Sequence, residues 1–145
     1  MNDTRHILLI GLEDRPGAVH AVAEVFSGRG LQMEAFQGSA GELCPDGKAQ
    51  AIILFRASLE RADLIARVLR RLSMVRSAEL LVAEDRRVVC SCLSRDPGPA
   101  PELRFLPLGD ATYLICGPLS PLSARIAVHP ALSPLRFAVL PDPQT

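Results

Sequence analysis

The stretch LEDRPGAVHAVAEVFSGRGLQME, residues 12–34, holds the end of a strand, a tight turn and one amphipathic helix. The nearly unbroken apolar run over residues 6–12 predicts a strand that is buried on both faces. After Asp-Arg-Pro-Gly, apolar residues recur with helical spacing at Val19, Val22, Ala23 and Phe26. Gly28 and Gly30 then predict the end of the helix, with one of them in the left-handed conformation. Residues 31–36 alternate between apolar and polar, which predicts a half-buried strand.

The residues that follow add a second helix and two more strands. We expect a turn-rich loop over residues 38–48, a strand over residues 49–55, a helix capped by Ser58 and a strand over residues 78–83. The buried stripe of this helix is expected at Ile65, Val68, Leu69 and Leu72. The order of elements predicts an α+β, ferredoxin-like βαββαβ domain at residues 1–84. Its uncovered sheet face and sheet edge need cover, so we expect a homodimer.

Residues 85–145 repeat this order with the first helix missing. Strands are expected over residues 86–93, 103–108, 113–116 and 135–140, and a short helix over residues 122–128. The segment Asp-Pro-Gly-Pro-Ala-Pro, residues 96–101, predicts a stiff linker where the first helix would be. We therefore expect the second half to be a smaller, degenerate, β-rich ferredoxin-like domain.

Charge and hydropathy restrict the partners and the compartment. The sequence has 145 residues, 48% of them hydrophobic, which is enough for one domain or two small ones with a buried core. Lys and Arg together number 16, as do Asp and Glu. A neutral chain has no general attraction for nucleic acid or for a membrane surface, so neither is an expected partner. We see no signal peptide and no run of roughly 20 apolar residues, and expect a cytoplasmic protein.

The reactive side chains form no recognisable catalytic or metal-binding pattern. Cys90 and Cys92 are two residues apart in an apolar run, which places both thiols on one face of a strand. That spacing suits neither a redox pair nor a zinc knuckle, and the three histidines are scattered. We therefore expect a protein that is not an enzyme and that uses no metal or other cofactor.

The corner between the first strand and the first helix has the chemistry of an anion site. The first amides of a helix have no intrahelical acceptor and carry partial positive charge, which favours a carboxylate or a phosphate. Pro16 suits the first helical turn, and Gly17 lets a ligand approach the backbone closely. Asp14 is placed either to cap the helix or to pair with a ligand ammonium. The corner matches an α-amino acid zwitterion, and the same residues are also ordinary turn formers.

Residues 5–84 resemble the ACT domain, a small regulatory module whose members commonly bind amino acids. The resemblance rests on ILLIGLEDRPGAVHAVAEVFSGRGLQMEAF, AQAIILFRAS and LIARVLRRLSMVRSAELL. The combination of strand, Asp-x-Pro-Gly corner, helix and glycine exit agrees with it. The resemblance implies a non-catalytic protein that binds an amino acid and regulates through it.

Two segments are also similar to the small, regulatory subunits of acetolactate synthase, an enzyme of branched-chain amino-acid biosynthesis. These are VAEVFSGRGLQMEAF, which is similar to their LFSRRGFNIESL type of segment, and RRLSMVRSAELLVAEDRRVVCSCL. In that family valine or a related branched amino acid contacts the first strand-helix loop and the start of the second strand at a dimer interface. The resemblance implies ligand contacts at Asp14, Gly17 and Gln32, and the predicted site also includes the neighbouring corner residues Arg15, Pro16 and Ala18. Asp14 and Gln32 stand where asparagine is common in the family.

Two functions are compatible with these resemblances. The first is an allosteric subunit whose amino-acid ligand, held between two copies of the chain, is sensed by a catalytic large subunit. The second is a stand-alone amino-acid sensor, or a dimeric scaffold that binds nothing, with no synthase partner. Co-purification of a large thiamine-diphosphate enzyme would distinguish them.

Overall fold

Two four-stranded antiparallel sheets, one in each half of the chain, organise the fold. The computed structural model describes residues 3–44 and 47–142. The chain divides into two units, Met1–Ala83 and Glu84–Thr145. The first unit combines its sheet with two α-helices, and the described part of the second combines its sheet with one, which confirms the predicted α+β class.

The first unit has the predicted βαββαβ order. Its elements are β1 (Thr4–Leu12), α1 (Ala18–Gly28), β2 (Met33–Ser39), a short 3₁₀ turn (Gly41–Leu43), β3 (Ala49–Ala57), α2 (Leu59–Arg70) and β4 (Val75–Val82). The strands lie in the order β2-β3-β1-β4, and β1 is antiparallel to both of its neighbours. This is the ferredoxin-like arrangement, in which β2 and β4 are the two edges of the sheet.

The core of the first unit lies between the two helices and one face of the sheet. Alternate residues of the two central strands face the helices and are fully buried, among them Leu8, Ile10, Ile53 and Phe55. The helices contribute Val22 and Phe26 from α1, and Ile65 and Leu69 from α2. The rings of Phe26 and Phe55 meet edge to face, with 5.2 Å between their centroids, a favourable geometry for an aromatic pair.

Both helices of the first unit begin or end on the residues that the sequence indicates. Ser58 caps α2, because its hydroxyl accepts a hydrogen bond from the amide of Arg61 at 3.3 Å. At the end of α1, the Leu31 amide donates to the Phe26 carbonyl at 3.0 Å and the Gly30 amide donates to the Ser27 carbonyl at 3.1 Å. Gly30 has φ +65°. This is a Schellman motif, and its left-handed residue is one of the two glycines that were expected to provide it.

Several strand boundaries in the first unit differ from the sequence-based expectation, and those of β2 and β4 differ most. The strand β2 begins at Met33 and continues through Ser39, where a loop was expected, because Gly38 and Ser39 still pair with β3. The strand β4 begins at Val75, three residues earlier than expected, because its polar first half pairs with β1. Residues 45–46 of the predicted loop lie outside the described residues.

The second unit repeats the topology of the first with one helix fewer. Its elements are β5 (Val88–Ser94), β6 (Arg104–Gly109), β7 (Thr112–Gly117), α3 (Leu119–Val128) and β8 (Arg136–Val139). The strand order β6-β7-β5-β8 corresponds to that of the first unit, and residues 95–103, all of them described, contain no helix. The predicted degenerate half is confirmed. The helix α3 begins three residues earlier than expected, because Pro121 lies in the first turn, where a missing N–H breaks no bond.

A buried ion pair fixes the proline-rich segment that stands in place of the missing helix. The Asp96 side chain is 3% exposed, and its carboxylate accepts hydrogen bonds from the Arg125 guanidinium of α3, one of them at 2.8 Å. The Gly98 amide donates to the same carboxylate at 3.0 Å. The Arg125 guanidinium also lies 5.9 Å from the centre of the Phe105 ring on β6. These hydrogen bonds, with the Arg125 bond as the largest cause, lower the pKa of Asp96 from 3.8 to about 2.

The helices of the described residues are short. None of them has the length and hydropathy needed to cross a bilayer.

Candidate functional site

The corner after β1 is a type II turn that leads directly into α1. The Ala18 amide donates to the Arg15 carbonyl at 3.4 Å, and Gly17 has φ 91° and ψ −12°. This conformation belongs to the third residue of a type II turn, where glycine is preferred, and proline is common at the second residue, which here is Pro16. Pro16 therefore precedes the helix cap. Its predicted place in the first helical turn was wrong, because the Pro-Gly pair makes the turn before the helix begins.

Gly17 is also the N-cap of α1, and no side chain caps the helix. The first bond of the helix runs from the Ala21 amide to the Gly17 carbonyl at 3.0 Å. The amides of Val19 and His20 therefore lie in the first turn, where a helix offers no acceptor. Of the two roles considered for Asp14, capping is excluded by this arrangement. The carboxylate is exposed next to a helix end that favours anions from solvent or ligand.

A cleft of about 280 Å³ opens beside this turn, and we call it the corner cleft. Its apolar wall is formed by Leu12 at the end of β1 and by Ala18 and Val19 of α1. Glu13, Asp14 and Arg15 of the turn supply its charged groups, and the far wall is formed by Gly38, Ser39, Ala40, Ala49 and Gln50. The cleft thus places charged and apolar groups around a space suited to a small amphipathic molecule.

The structure brings three of the six predicted site residues to the corner cleft. Asp14, Arg15 and Ala18 line it, whereas Pro16 and Gly17 form the adjoining turn without lining it. A Cβ on Gly17 would lie 3.6 Å from the Met74 side chain, which is an ordinary contact. The glycine is therefore required by its backbone conformation.

Gln32, the sixth predicted residue, lies at the opposite end of the sheet from the corner cleft. It is exposed and directly precedes β2, whose first residue, Met33, pairs with Phe55 at the end of β3. The other end of β2, at Ser39, pairs with Gln50 beside the cleft. Since a strand rises about 3.3 Å per residue, Gln32 lies roughly 20 Å from the cleft in the same chain.

Residues at the end of β2 and the start of β3 were not predicted as part of the site. In the strand-helix-strand-strand order, β2 runs parallel to β1, so the β2–β3 connection returns to the end of the sheet where the β1–α1 corner lies. That topological argument would have identified Ser39, Ala40 and Gln50. Val19 was expected on the buried face of α1, but the residue is 51% exposed and lines the cleft.

The described residues contain no cluster of three or more His, Cys, Asp or Glu side chains that could bind a metal ion. Cys90 and Cys92 are buried on β5, and all four cysteines are free thiols. Burial, with a smaller contribution from Cys92, raises the pKa of the Cys90 thiol to about 12. A thiol of that kind is a poor nucleophile at neutral pH and packs as a small apolar group.

Comparison with known proteins shows a likeness in fold. No protein-family profile matches the sequence, and no curated protein does. The chain is similar in structure to the small subunit of acetolactate synthase from Thermotoga maritima, with a TM-score of 0.59, 14% identity and coverage of 93% of both chains. At this identity the likeness establishes the fold alone. A match to the regulatory subunit of aspartate kinase from Thermus thermophilus has a TM-score of 0.47 and 15% identity, and covers 86% of this chain and 89% of that one.

Proposed function

We propose that this chain is an ACT-type regulatory module that binds a free α-amino acid in the corner cleft and catalyses no reaction itself. The observation that carries this proposal is the composition of the cleft. Arg15 and the first-turn amides of α1 suit the ligand carboxylate, and Asp14 suits its ammonium. The apolar wall of Leu12, Ala18 and Val19 suits an aliphatic side chain, which favours a branched-chain ligand.

The site is completed by a second copy of the chain. The strand β2 is an edge of its sheet and is available for pairing with another strand. Two β2 strands paired antiparallel about their middle residue, Phe36, would set Gln32 of the partner subunit opposite Ala40, which lines the cleft. Gln32 lies far from the corner cleft of its own chain. In this pairing its side-chain amide would instead reach the ligand in the corner cleft of the other chain.

As a regulator, the dimer would transmit ligand binding to a catalytic large subunit, with acetolactate synthase as the first candidate. The sequence segments that resemble its small subunits and the shared fold support this choice. The ligand must bind two arrangements of the dimer with different affinity, and such couplings are typically about 1–3 kcal/mol. The described residues of the second unit form one α-helix, α3, and so offer less helical surface to a large partner than a second unit with two helices would. This feature favours the alternative, a stand-alone sensor or dimeric scaffold.

A thermal-shift screen of the full chain against the 20 common amino acids tests the binding site. Ligands that bind only the folded state raise the melting temperature by mass action, so we expect valine, leucine or isoleucine to stabilise the protein at millimolar concentration. Asp14→Asn and Arg15→Gln should abolish the shift. Asp63→Asn and Arg67→Gln, which change an exposed pair on α2, are matched controls that should keep it. No shift with any amino acid would refute the proposal.

Affinity purification from cells of the source organism tests the regulatory role separately. Recovery of a large thiamine-diphosphate enzyme, lost when Asp14→Asn and Arg15→Gln are combined with deletion of residues 84–145, would support a synthase subunit. Binding of an amino acid without recovery of such an enzyme would favour the stand-alone sensor.

A further inference from the structure

One face of the second sheet is only half-buried. The helix α3 packs on β5 and β7, where Cys90, Cys92 and Ile115 are fully buried. These three residues therefore face α3. Because successive side chains of a strand point to opposite faces, Ser91 of β5 and Leu114 of β7 face the other way, and both are half-buried.

The register of the strands arranges this second face in two adjacent rows. In order across the sheet, the first row is Arg104, Cys116, Ser91 and Arg136, and the second row is Leu106, Leu114 and Leu93. We call these residues the open face. An arginine stands at each end of the first row, and the row beside it is formed by leucines.

The open face carries positive charge and no negative charge. Arg104 and Arg136 are exposed, and neither guanidinium has a hydrogen bond or an ion pair with another described residue. The four strands of this sheet, all of them described, contain no Asp or Glu. Leu106, two residues after Arg104, is 56% exposed. A partner surface with carboxylates on either side of apolar side chains is therefore complementary to the open face.

Two other occupants are less complementary to the open face. A second copy of the chain that presented the same face would set arginine against arginine with no carboxylate between them, and such a juxtaposition is unfavourable. RNA bases stack on aromatic side chains of a sheet that binds them. The aromatic residues of these strands lie on the side of α3, because Phe105 pairs with Ile115, Tyr113 pairs with Ser94 and Phe137 pairs with Cys90.

We propose that the open face is a docking surface for a protein partner that presents an amphipathic helix, with apolar residues on the leucine row and two carboxylates on Arg104 and Arg136. A helix is also the element that packs on the other face of the same sheet. The two arginines are three strand spacings apart, about 14 Å. Carboxylates about 7 or 11 residues apart lie on one side of a helix, roughly 10–17 Å from each other, which matches this spacing.

Photo-crosslinking in cells of the source organism tests this proposal on the full chain, with p-benzoylphenylalanine in place of Leu106. We expect a crosslinked protein, and mass spectrometry should place the crosslink in a helical segment whose apolar stripe is flanked by Asp or Glu. The double variant Arg104→Glu/Arg136→Glu should lower the yield of this product at least tenfold. The same photoreactive residue in place of Leu64, which is 44% exposed on α2, is the control and should not give the product.

A synthetic peptide of the crosslinked segment then measures the contribution of charge by fluorescence anisotropy. The natural chain should bind the peptide at least tenfold more tightly than Arg104→Glu/Arg136→Glu does. A peptide with both carboxylates changed to lysine should bind that variant again. The double variant Arg67→Glu/Arg71→Glu reverses the same charge at exposed positions near the end of α2 and should bind as the natural protein does.

Several results would overturn the proposal. They are the absence of a crosslinked protein, a crosslink to a second copy of the chain or to nucleic acid, a crosslinked segment without carboxylates, and equal peptide affinity of the natural chain and Arg104→Glu/Arg136→Glu. Asp14→Asn and Arg15→Gln should leave the crosslink unchanged, which separates failure of this surface from failure of the corner cleft.

Discussion

Replacing Asp96 by asparagine should destabilise the second unit by about 2–3 kcal/mol. The substitution keeps the size of the side chain but removes the charge that accepts two hydrogen bonds from Arg125 and one from the Gly98 amide. Removing one partner of a buried pair commonly costs about 3–5 kcal/mol. The Arg125 side chain is 24% exposed and can regain some hydration, so the loss should lie at or just below the lower end of that range.

The pH dependence of this effect gives an independent estimate of its size. The folded-state pKa of Asp96 is about 2, against 3.8 for an ordinary aspartate. One pKa unit corresponds to about 1.4 kcal/mol, so the ionised pair stabilises the folded state by about 2 kcal/mol at neutral pH. Because the folded pKa is the lower one, this stabilisation is complete above about pH 5 and is lost as the pH falls from about 4 through 2. The difference between the natural protein and Asp96→Asn should therefore shrink over that range.

The single tyrosine of the sequence makes the measurement specific to the second unit. Tyr113 lies on β7 and the chain contains no tryptophan, so tyrosine fluorescence during urea unfolding reports on that unit. Glu102→Gln, which removes an exposed carboxylate from the same unit, is the matched control and should change stability by less than about 0.5 kcal/mol. A difference for Asp96→Asn below that value at pH 7, or one that stays constant down to pH 2, would refute the reasoning.

Four further outcomes are expected. Gly17→Ala should lower the free energy of unfolding by about 1–2 kcal/mol, measured by urea denaturation, because alanine is strained at φ +91°. Met74 leaves room for the added Cβ, so no steric clash adds to this cost, and an unchanged stability would contradict the turn assignment. Phe36→Arg should convert a dimer to a monomer in light scattering, while Phe36→Leu should not, because the proposed β2 pairing sets this residue against its own copy. Leu122→Ala should cost about 2–5 kcal/mol by tyrosine fluorescence, since this side chain on the inner face of α3 is fully buried. The Cys90 thiol should resist iodoacetamide at pH 8 until the protein is unfolded, and rapid labelling of the native state by mass spectrometry would show that the strand opens.

The fold of the first unit was predictable because its local signals agree with one another. The apolar run of β1 indicates a strand, the spacing of apolar residues in α1 indicates a helix, and Ser58 indicates the start of a second helix. All three elements are compatible with one βαββαβ fold. The boundaries that differ involve residues whose conformation depends on pairing. Gly38 and Ser39 are ordinary loop residues in sequence, and only their hydrogen-bonded partner β3 makes them a strand.

The candidate site was predictable only for the residues that are neighbours in the sequence. Asp14 and Arg15 lie at a corner that the sequence identifies, and both line the cleft. The far wall comes from residues 38–40 and 49–50, which reach the corner through the topology of the sheet.

The far wall of the corner cleft belongs to the edge of the sheet. Gly38 and Ser39 of β2 line the cleft and pair with Ala51 and Gln50 of β3. Because the proposed dimer pairs β2 with its own copy, a ligand in the cleft and a second chain on β2 would order the same backbone, and the entropy that one of them removes need not be lost again when the other binds. Ligand binding and dimerisation would then strengthen each other, so saturating amino acid should shift the monomer–dimer equilibrium toward the dimer.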